Sequence, residues 1–342
     1  MVYQLDRYAG LRPALLRGLG EAVAAHWHAI ATFALLSLGQ AACAHAAYPD
    51  RPVRLVIPFP AGAALDSTMR VVGQKMAELW GQPVVIDNKP GVAGVVAVAN
   101  APANGYTLLV CAGSNIVTGP LINPRLPYTV AKNFVPVGHV STNVPVLATT
   151  PSIGFKTVRE LVALARQQPG VLNYSSSGVG SPNHLAMEIF QSLTDTSFVH
   201  IPYKGGAPSV NELIGGHVDL GIFALPSIHQ HLRSGRLRAL AVASTQRDKN
   251  LPDVPTLAES GITGFEYEIW YGVFAPSHTP RGVVEKVNAV LQKALADPEV
   301  ARQLQALGSV PTPGSTEEFS QYVLRDTERW KRIVLDRKMN LE

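Results

Sequence analysis

The sequence predicts an α/β protein built from two lobes. From Tyr48 onward, short apolar runs bounded by Pro, Gly and Asn alternate with segments of helical period, a pattern typical of βαβ units with largely parallel sheets. The runs fall into two sets, PVRLVIPF, PVVIDN, YTLLVCAG and VPVLATT first, then VLNYSSS, FVHIPY, VDLGIF and LRALAVAS. Two sets of strands indicate two lobes. The sequence contains no repeat at a fixed period, so neither a solenoid nor a propeller is expected.

The composition agrees with this fold class. The chain has 342 residues, 46% of them hydrophobic, with 29 Gly and 26 Pro, as expected for a globular α/β protein with many tight connections. The formal net charge of +4 comes from dispersed Lys and Arg, with no basic cluster interleaved with aromatic residues. Nucleic acid is therefore not expected as a partner.

Residues 1–46 have the pattern of an export signal with a long basic region. Three arginines precede an apolar run at 29–38, and Ala44 and Ala46 fit an A-x-A cleavage site. Cleavage near Ala46 would place the mature protein in the periplasm. The apolar run is too short to span a bilayer. A retained anchor, lipidation at Cys43 and a misplaced start codon remain alternatives.

The lobe boundaries are predicted from two extended stretches with few charges, at 141–152 and 265–277, which separate the two sets of strands. The first lobe is then discontinuous, comprising 47–146 and 270–342, and the second lobe comprises 147–269. The chain ends in helices.

Several helix starts are marked by capping residues. TVRE at 157–160 and STEE at 315–318 are capping boxes. Ser181-Pro182 and Thr279-Pro280 each place a capping residue before a proline in the first helical position.

The first loop, residues 58–66, joins an apolar strand to an amphipathic helix. Phe59, Ala61 and Gly62 lie where free backbone amides meet the positive end of the helix dipole, and this geometry favours an anion. The helix is predicted to stop at Gly81. Asp66 is either a helix cap or a group facing the ligand, and the sequence leaves both open.

The second loop, residues 173–185, repeats this pattern in the second lobe. Gly178 allows close backbone approach, Ser176 supplies a hydroxyl, and the helix that opens at Ser181 directs its amides into the turn. Taken alone, this loop could equally be an ordinary flexible turn. Together, the two loops could hold a small carboxylate in a cleft between the lobes.

Other polar and aromatic residues give weaker indications. Tyr203 and Lys204 stand at a third junction between a strand and a helix, as anion donors or as ordinary turn residues. Trp270 and Tyr271 could stack on a ligand or pack between the lobes. No motif of a hydrolase, nucleotide-binding protein or zinc protease is present, so neither catalysis nor a cofactor is expected. The pairs His184/Glu188 and His229/His231 are too small for a metal site.

In order and spacing, seven segments resemble the Bug-type extracytoplasmic solute receptors of tripartite tricarboxylate transporters. They are YPDRPVRLVIPFPAGAALD, GYTLL, LPYTVAKNFVPVGHVS, LNYSSSGVGSPNHLAMEIF, HIPYKGGAPSVNELIGGHVDL, SGRLRALAVAS and LPDVPTLAESGITGFE. The resemblance implies a type II periplasmic-binding-protein fold, with two α/β lobes closing about a hinge. It also implies a small carboxylate solute that is handed to membrane permease subunits. A monomer is the default expectation. A sensing receptor without transport is an alternative function, and a lyase or transferase on a similar fold is a less favoured one.

By the same resemblance, the ligand is held by main-chain amides, hydroxyls and water rather than by an obligatory arginine. The positions that match are Phe59, Ala61, Gly62, Asp66, Ser176, Gly178, Ser181, His184, Tyr203 and Lys204. Four positions depart from the family pattern: Ala63 replaces a glycine, Leu65 a small polar residue, and Phe223 and Ala224 stand where many relatives have an acidic or amide residue. We therefore expect a preference for an apolar or aromatic monocarboxylate over citrate-like acids.

Overall fold

The structure is a computed structural model that describes residues 48–265 and 267–336. The export signal predicted at 1–46 lies outside the described residues. Within the described residues, helices pack on two separate β-sheets, which are the cores of two α/β lobes. None of the described helices is both long and apolar enough to cross a membrane.

The sheet of the first lobe has six strands in the order β11-β4-β10-β3-β1-β2. These are β1 (Val53–Ile57), β2 (Val84–Asn88), β3 (Thr107–Ala112), β4 (Phe134–Asn143), β10 (Ile269–Pro276) and β11 (Ser309–Pro311). Its longer helices are α1 (Ala64–Trp80), α2 (Val92–Ala99), α9 (Arg281–Ala296), α10 (Pro298–Leu307) and α11 (Thr316–Asp336). A π-helical turn (Ser114–Thr118) and two single turns, α3 (Gly119–Ile122) and α4 (Val130–Asn133), complete this lobe.

The sheet of the second lobe has five strands in the order β7-β6-β8-β5-β9. They are β5 (Pro145–Thr149), β6 (Asn173–Ser176), β7 (Val199–Pro202), β8 (Leu220–Ala224) and β9 (Arg238–Val242). Four helices belong to this lobe, namely α5 (Val158–Gln167), α6 (Pro182–Thr194), α7 (Gly206–Ile214) and α8 (Leu225–Arg233). All eight apolar runs predicted as strands are strands in the structure.

The expectation of largely parallel sheets is wrong, because both sheets are mixed. Parallel pairing joins β1 to β2 and β3, and β6 to β7 and β8. Strand β10 is antiparallel to β3 and β4, β11 to β4, and β5 to β8 and β9. The cause is the passage of the chain between the lobes: β4 leads out of the first lobe and β10 leads back. Because β4 and β10 are neighbours that carry the chain in opposite directions between the lobes, they pair antiparallel.

The chain changes sheets between Asn143 and Pro145, and again between Val242 and Ile269. The first lobe is thus discontinuous in sequence, with the second sheet inserted into it. The division at residues 146 and 270 stays a prediction.

Three of the four predicted helix starts are confirmed. Thr157 Oγ1 accepts from the Glu160 amide at 3.2 Å, and the Glu160 carboxylate accepts from the Thr157 amide at 3.2 Å. The Ser315 box at the start of α11 has the same bonds, and Ser181 caps α6. Thr279 is not a cap: α9 starts at Arg281, and the Thr279 hydroxyl donates to the Pro276 carbonyl at 2.8 Å.

An aromatic cluster joins β10 to α11 in the core of the first lobe. Trp270 is 1% exposed, and its ring meets Phe319 and Tyr322 edge to face, with centroids 5.7 and 5.6 Å away. Its indole N–H donates to Asp326 Oδ2 at 2.8 Å. Trp270 therefore packs within the first lobe and not between the lobes.

Candidate functional site

A cleft between the two lobes is lined by residues from both. Its space, including the mouth that opens to solvent, is about 430 Å³. The first lobe contributes Phe59, Ala63, Ala64, Leu65, Ile269 and Tyr271, and the second contributes Ser177, Pro182, Asn183, Gly206, Ala224 and Ser227.

Four helices begin at this cleft. The lining residues include the N-cap and first turn of α1, the first two residues of α6, the first residue of α7, and the N-cap and third residue of α8. Among the described residues, the amides of Ala64, Leu65, Asn183 and Gly206 have no hydrogen-bond acceptor. Amides in the first turn of a helix have no acceptor within it, and the helix dipole is positive at that end. The cleft is therefore suited to an anion.

The described lining residues carry no Lys, Arg, His, Asp or Glu. Tyr271 is buried, and burial raises the pKa of its hydroxyl above the ordinary value, so it stays uncharged. The positive potential in the cleft thus comes from peptide groups. Affinity for an anion should not depend on titration of the cleft wall near neutral pH.

The first loop is held in shape by Asp66. The Gly62 amide donates to Asp66 Oδ2 at 2.8 Å, and Arg70 Nε donates to the same oxygen at 3.0 Å. Burial raises the pKa of Asp66, but hydrogen bonds from Arg70, Gly62 and Asn88 outweigh it and hold that pKa below its ordinary value. Ala63 is the N-cap of α1. Asp66 is therefore not the cap, and its ionised carboxylate fixes the loop from inside the fold.

The second loop is held by side chains that face away from the cleft. Ser176 Oγ accepts from the Gly178 amide at 3.1 Å, and His184 Nδ1 accepts from the Gly180 amide at 3.0 Å. Gly178 has a φ of +128°, which residues with a Cβ rarely adopt. Ser181 Oγ accepts from the His184 amide at 3.4 Å as the N-cap. These predicted site residues shape the loop and leave Ser177 and Asn183 at its cleft surface.

A stack of three rings lies under the second loop. The rings of His184 and His200 are nearly parallel, with centroids 4.0 Å apart, and Tyr174 stacks on His200 with a centroid distance of 4.8 Å. His200 Nε2 lies 2.6 Å from Ser176 Oγ, and the Tyr174 hydroxyl donates to Glu188 at 2.8 Å. Burial lowers the pKa of both His184 and His200 to about 4, so both rings are neutral at pH 7.

We expect stability to fall as the pH is lowered from about 6.5 to 4. The histidines of the unfolded chain bind protons near pH 6.5, well above the folded-state pKa of about 4, so protonation favours unfolding across this window. Thermal unfolding at pH 7 and pH 5 measures the effect. His200→Gln should reduce the difference in Tm between the two pH values, and exposed His217→Gln should leave it unchanged. An equal pH dependence of Tm in His200→Gln and wild type would contradict the assignment of this effect to the buried histidines.

Tyr203 and Lys204 do not line the cleft. The Tyr203 hydroxyl donates to Glu212 at 3.4 Å, and Lys204 is exposed and forms no ion pair within the described part of the chain. The next residue does approach the first lobe. A Cβ placed on Gly205, whose φ is +118°, would lie 2.5 Å from Cγ of Pro60. The two lobes therefore touch at Pro60 and Gly205, beside the cleft.

Of the predicted site residues, only Phe59 lines the cleft directly. Gly62 lines an adjoining compartment, and Ala61 is exposed and lines neither. The sequence prediction missed Asn183, Ser227 and Ile269. Asn183 and Ser227 could have been found as the residues just inside helices that open with Pro182 and Pro226.

Phe223 and Ala224, two of the positions that depart from the family pattern, face opposite sides of β8. Ala224 lines the cleft, whereas Phe223 is 1% exposed within the core of the second lobe. The cause is the alternation of side chains along β8. Tyr271 lines the cleft and Trp270 does not, by the same alternation along β10.

Residues 68–340 match the family model described as the tripartite tricarboxylate transporter family receptor. The chain belongs to this family. The receptor is 39% identical over 298 residues to a UPF0065 protein from the tcbD-tcbE intergenic region of Pseudomonas sp. strain P51, covering 86% of this chain and 88% of that protein.

Solved structures agree with this assignment. The receptor superposes on Rpa4515 of R. palustris with adipate with a TM-score of 0.82 and 33% identity, covering 86% of this chain and 99% of that one. The periplasmic binding protein BugD gives a TM-score of 0.81 and 31% identity, with coverage of 86% and 99%. The receptor thus has the two-lobed fold of Bug-type periplasmic binding proteins, as the sequence predicted.

Proposed function

We propose that the receptor captures a small carboxylate solute in the cleft between its lobes and delivers it to a tripartite tricarboxylate-type permease. In this proposal it is a monomer, acts in the periplasm after removal of residues 1–46, and catalyses no reaction. Asp66, Ser176, Ser181 and His184 act as the frame of the two loops. The relatives described above are binding proteins of one family, and this supports a binding role.

The observation that carries the proposal is the convergence of four helix N-termini on a cleft whose described lining has no charged side chains. Unpartnered amides of α1, α6 and α7 can donate to carboxylate oxygens, as in other anion sites at helix N-termini. Rpa4515, a structural relative, holds adipate.

Part of the cleft wall is apolar. Phe59, Leu65 and Ile269 line the cleft, and Leu65 takes a position where a polar residue could have met a second charge. This supports the preference for an apolar or aromatic monocarboxylate over citrate-like acids.

The solute itself provides the first test. Receptor purified from cells without refolding is denatured, and the released small molecules are identified by mass spectrometry. Calorimetric titration of ligand-free receptor with benzoate, succinate, acidic amino acids and citrate then ranks the acids. We expect a released carboxylate and tighter binding of benzoate than of citrate. Tight citrate binding would contradict the preference, and a released solute without an acid group would contradict the proposal.

A charge placed in the cleft provides a second test. Ala224→Asp adds a carboxylate at the N-cap of α8, and Ala224→Asn adds a neutral side chain of the same shape. We expect Asp to weaken binding of the released acid about five- to tenfold more than Asn, because like charges repel in a partly desolvated cleft. Equal affinities for the two variants would contradict an anionic ligand.

A further inference from the structure

A second compartment adjoins the cleft. Ala63, Gly206 and Ser227 line both spaces, so the two lie side by side. The second compartment encloses about 360 Å³, including its opening, and its other lining residues are Gly62, Ala207, Val210, Asn211 and His231. A solute longer than the first compartment would extend into this neighbouring space.

Two polar side chains on one face of α8 border this extension. Ser227 and His231 are four residues apart, which places them on adjacent turns of the same helix face. The ring of His231 lines the compartment, and its Nε2 forms no hydrogen bond among the described residues; Nδ1 is also unpartnered there but is too buried to reach a ligand. The Ser227 hydroxyl also forms no hydrogen bond within the described part of the chain. Both groups are free to bind a ligand atom.

The N-termini of α1 and α7 border both compartments, and the second compartment differs from the first because it also reaches the last turn of α8. Ser227 lies in the first turn of α8, but His231 lies in its last turn, where the helix dipole is negative. Burial, together with the charge of Arg236, lowers the pKa of His231, so its ring is neutral at pH 7. The described residues of this compartment include no Lys, Arg, Asp or Glu. A second carboxylate would lose its water here without gaining a counter-charge.

We propose that the solute is a monocarboxylate with an uncharged hydrogen-bonding group at its far end, and that Ser227 and His231 bind this group. The inference rests on the proposed function and specifies the solute class of the same cleft. The carboxylate lies at the helix N-termini, an apolar spacer lies along Phe59 and Leu65, and the far hydroxyl, keto or amide group lies between Ser227 and His231.

Three acids with the same carbon chain test this inference, namely hexanoate, 6-hydroxyhexanoate and adipate. Calorimetric titration of ligand-free receptor should give 6-hydroxyhexanoate an affinity about fivefold or more above that of hexanoate, since a net hydrogen bond contributes a factor of this order. It should also bind more tightly than adipate. His231→Leu and Ser227→Ala should each bring the ratio of hydroxyacid to hexanoate affinity within about twofold of unity. Gln230→Ala, on the exposed face of α8, is the matched control and should keep the wild-type ratio.

The inference would be overturned by tighter binding of adipate than of the hydroxyacid, by equal affinities for hexanoate and the hydroxyacid, or by an unchanged ratio in both variants. Failure of all three acids to bind would also overturn it. The proposed function would survive each of these results, because it is tested separately by the solute released from purified receptor. Thermal unfolding of each variant establishes that a changed ratio does not come from misfolding.

Discussion

Gly205→Ala is expected to weaken solute binding about ten- to a hundredfold. The added Cβ would lie 2.5 Å from Cγ and 3.1 Å from Cδ of Pro60, on the opposite lobe. The proline ring is rigid, so the lobes must separate to relieve the overlap, and overpacking of this kind typically costs about 1–3 kcal/mol. Separation would move α7 away from α1 and divide the anion site. Titration with the released solute measures the loss.

A second substitution, at Pro60, should restore solute binding in Gly205→Ala. Pro60→Ala removes Cγ and Cδ, and the atom that remains near the new methyl group is Cβ at 3.6 Å, an ordinary contact. The double variant should therefore recover most of the affinity lost in Gly205→Ala. Gly216→Ala is the control for adding a methyl group at a glycine of positive φ away from the lobe contact, because Gly216 has a φ of +73° and the methyl group there would have nothing within 4 Å. Full affinity in Gly205→Ala, or no recovery in the double variant, would show that this contact does not govern closure.

Trp270→Ala is expected to lower the free energy of unfolding by about 3–5 kcal/mol, as is usual for a large aromatic residue removed from a core. Trp270 is 1% exposed, and its loss would leave a cavity between Phe319 and Tyr322. It would also remove the indole donor from Asp326, whose pKa is already raised by burial. Leaving the buried carboxylate with one hydrogen-bond donor fewer lowers the free energy of unfolding further. Urea unfolding followed by circular dichroism measures the change.

The control for this prediction lies on the same helix as Asp326. Leu324 is 58% exposed on α11, so Leu324→Ala should change the free energy of unfolding by less than about 0.5 kcal/mol. A Trp270→Ala protein within about 1 kcal/mol of wild type would mean that the cluster repacks around the missing ring.

Strands marked by an apolar run between turn residues were predictable, and β4, β10 and β11 were not. Apolar runs with flanking Pro and Gly identified β1 to β3 and β5 to β9, since local pattern suffices for a buried strand. The stretch that forms β10 was recognised only as extended chain, and β4 and β11 were not predicted as strands. The pairing direction of β4 and β10 depends on where the chain enters and leaves the second lobe. That is a property of the whole path, which no short window of sequence contains.

The position of the site was predictable, but the roles of its residues were not. A capping serine and a proline located the start of α6, whereas α1 begins at Ala64 without a side-chain cap and was located by the strand-to-helix pattern around the first loop. Ser176 and His184 then proved to bind the backbone of their own loop. A serine or histidine side chain beside a turn can point toward a ligand or toward the backbone of its own loop. The residue type is the same in both cases, so the sequence does not distinguish them. Only the packing of the neighbouring strand, here through His200, decides between them.

The absence of charged side chains from the described cleft wall bears on how such receptors diverge. Every residue except proline supplies a peptide N–H, so the part of the site that recognises the acid survives most substitutions. Duplicated copies of such a gene can exchange Leu65, Ala224 or Ser227 for other residues and still retain an anion site. Cargo can therefore change by single mutational steps, with no intermediate that has lost the capacity to bind an acid.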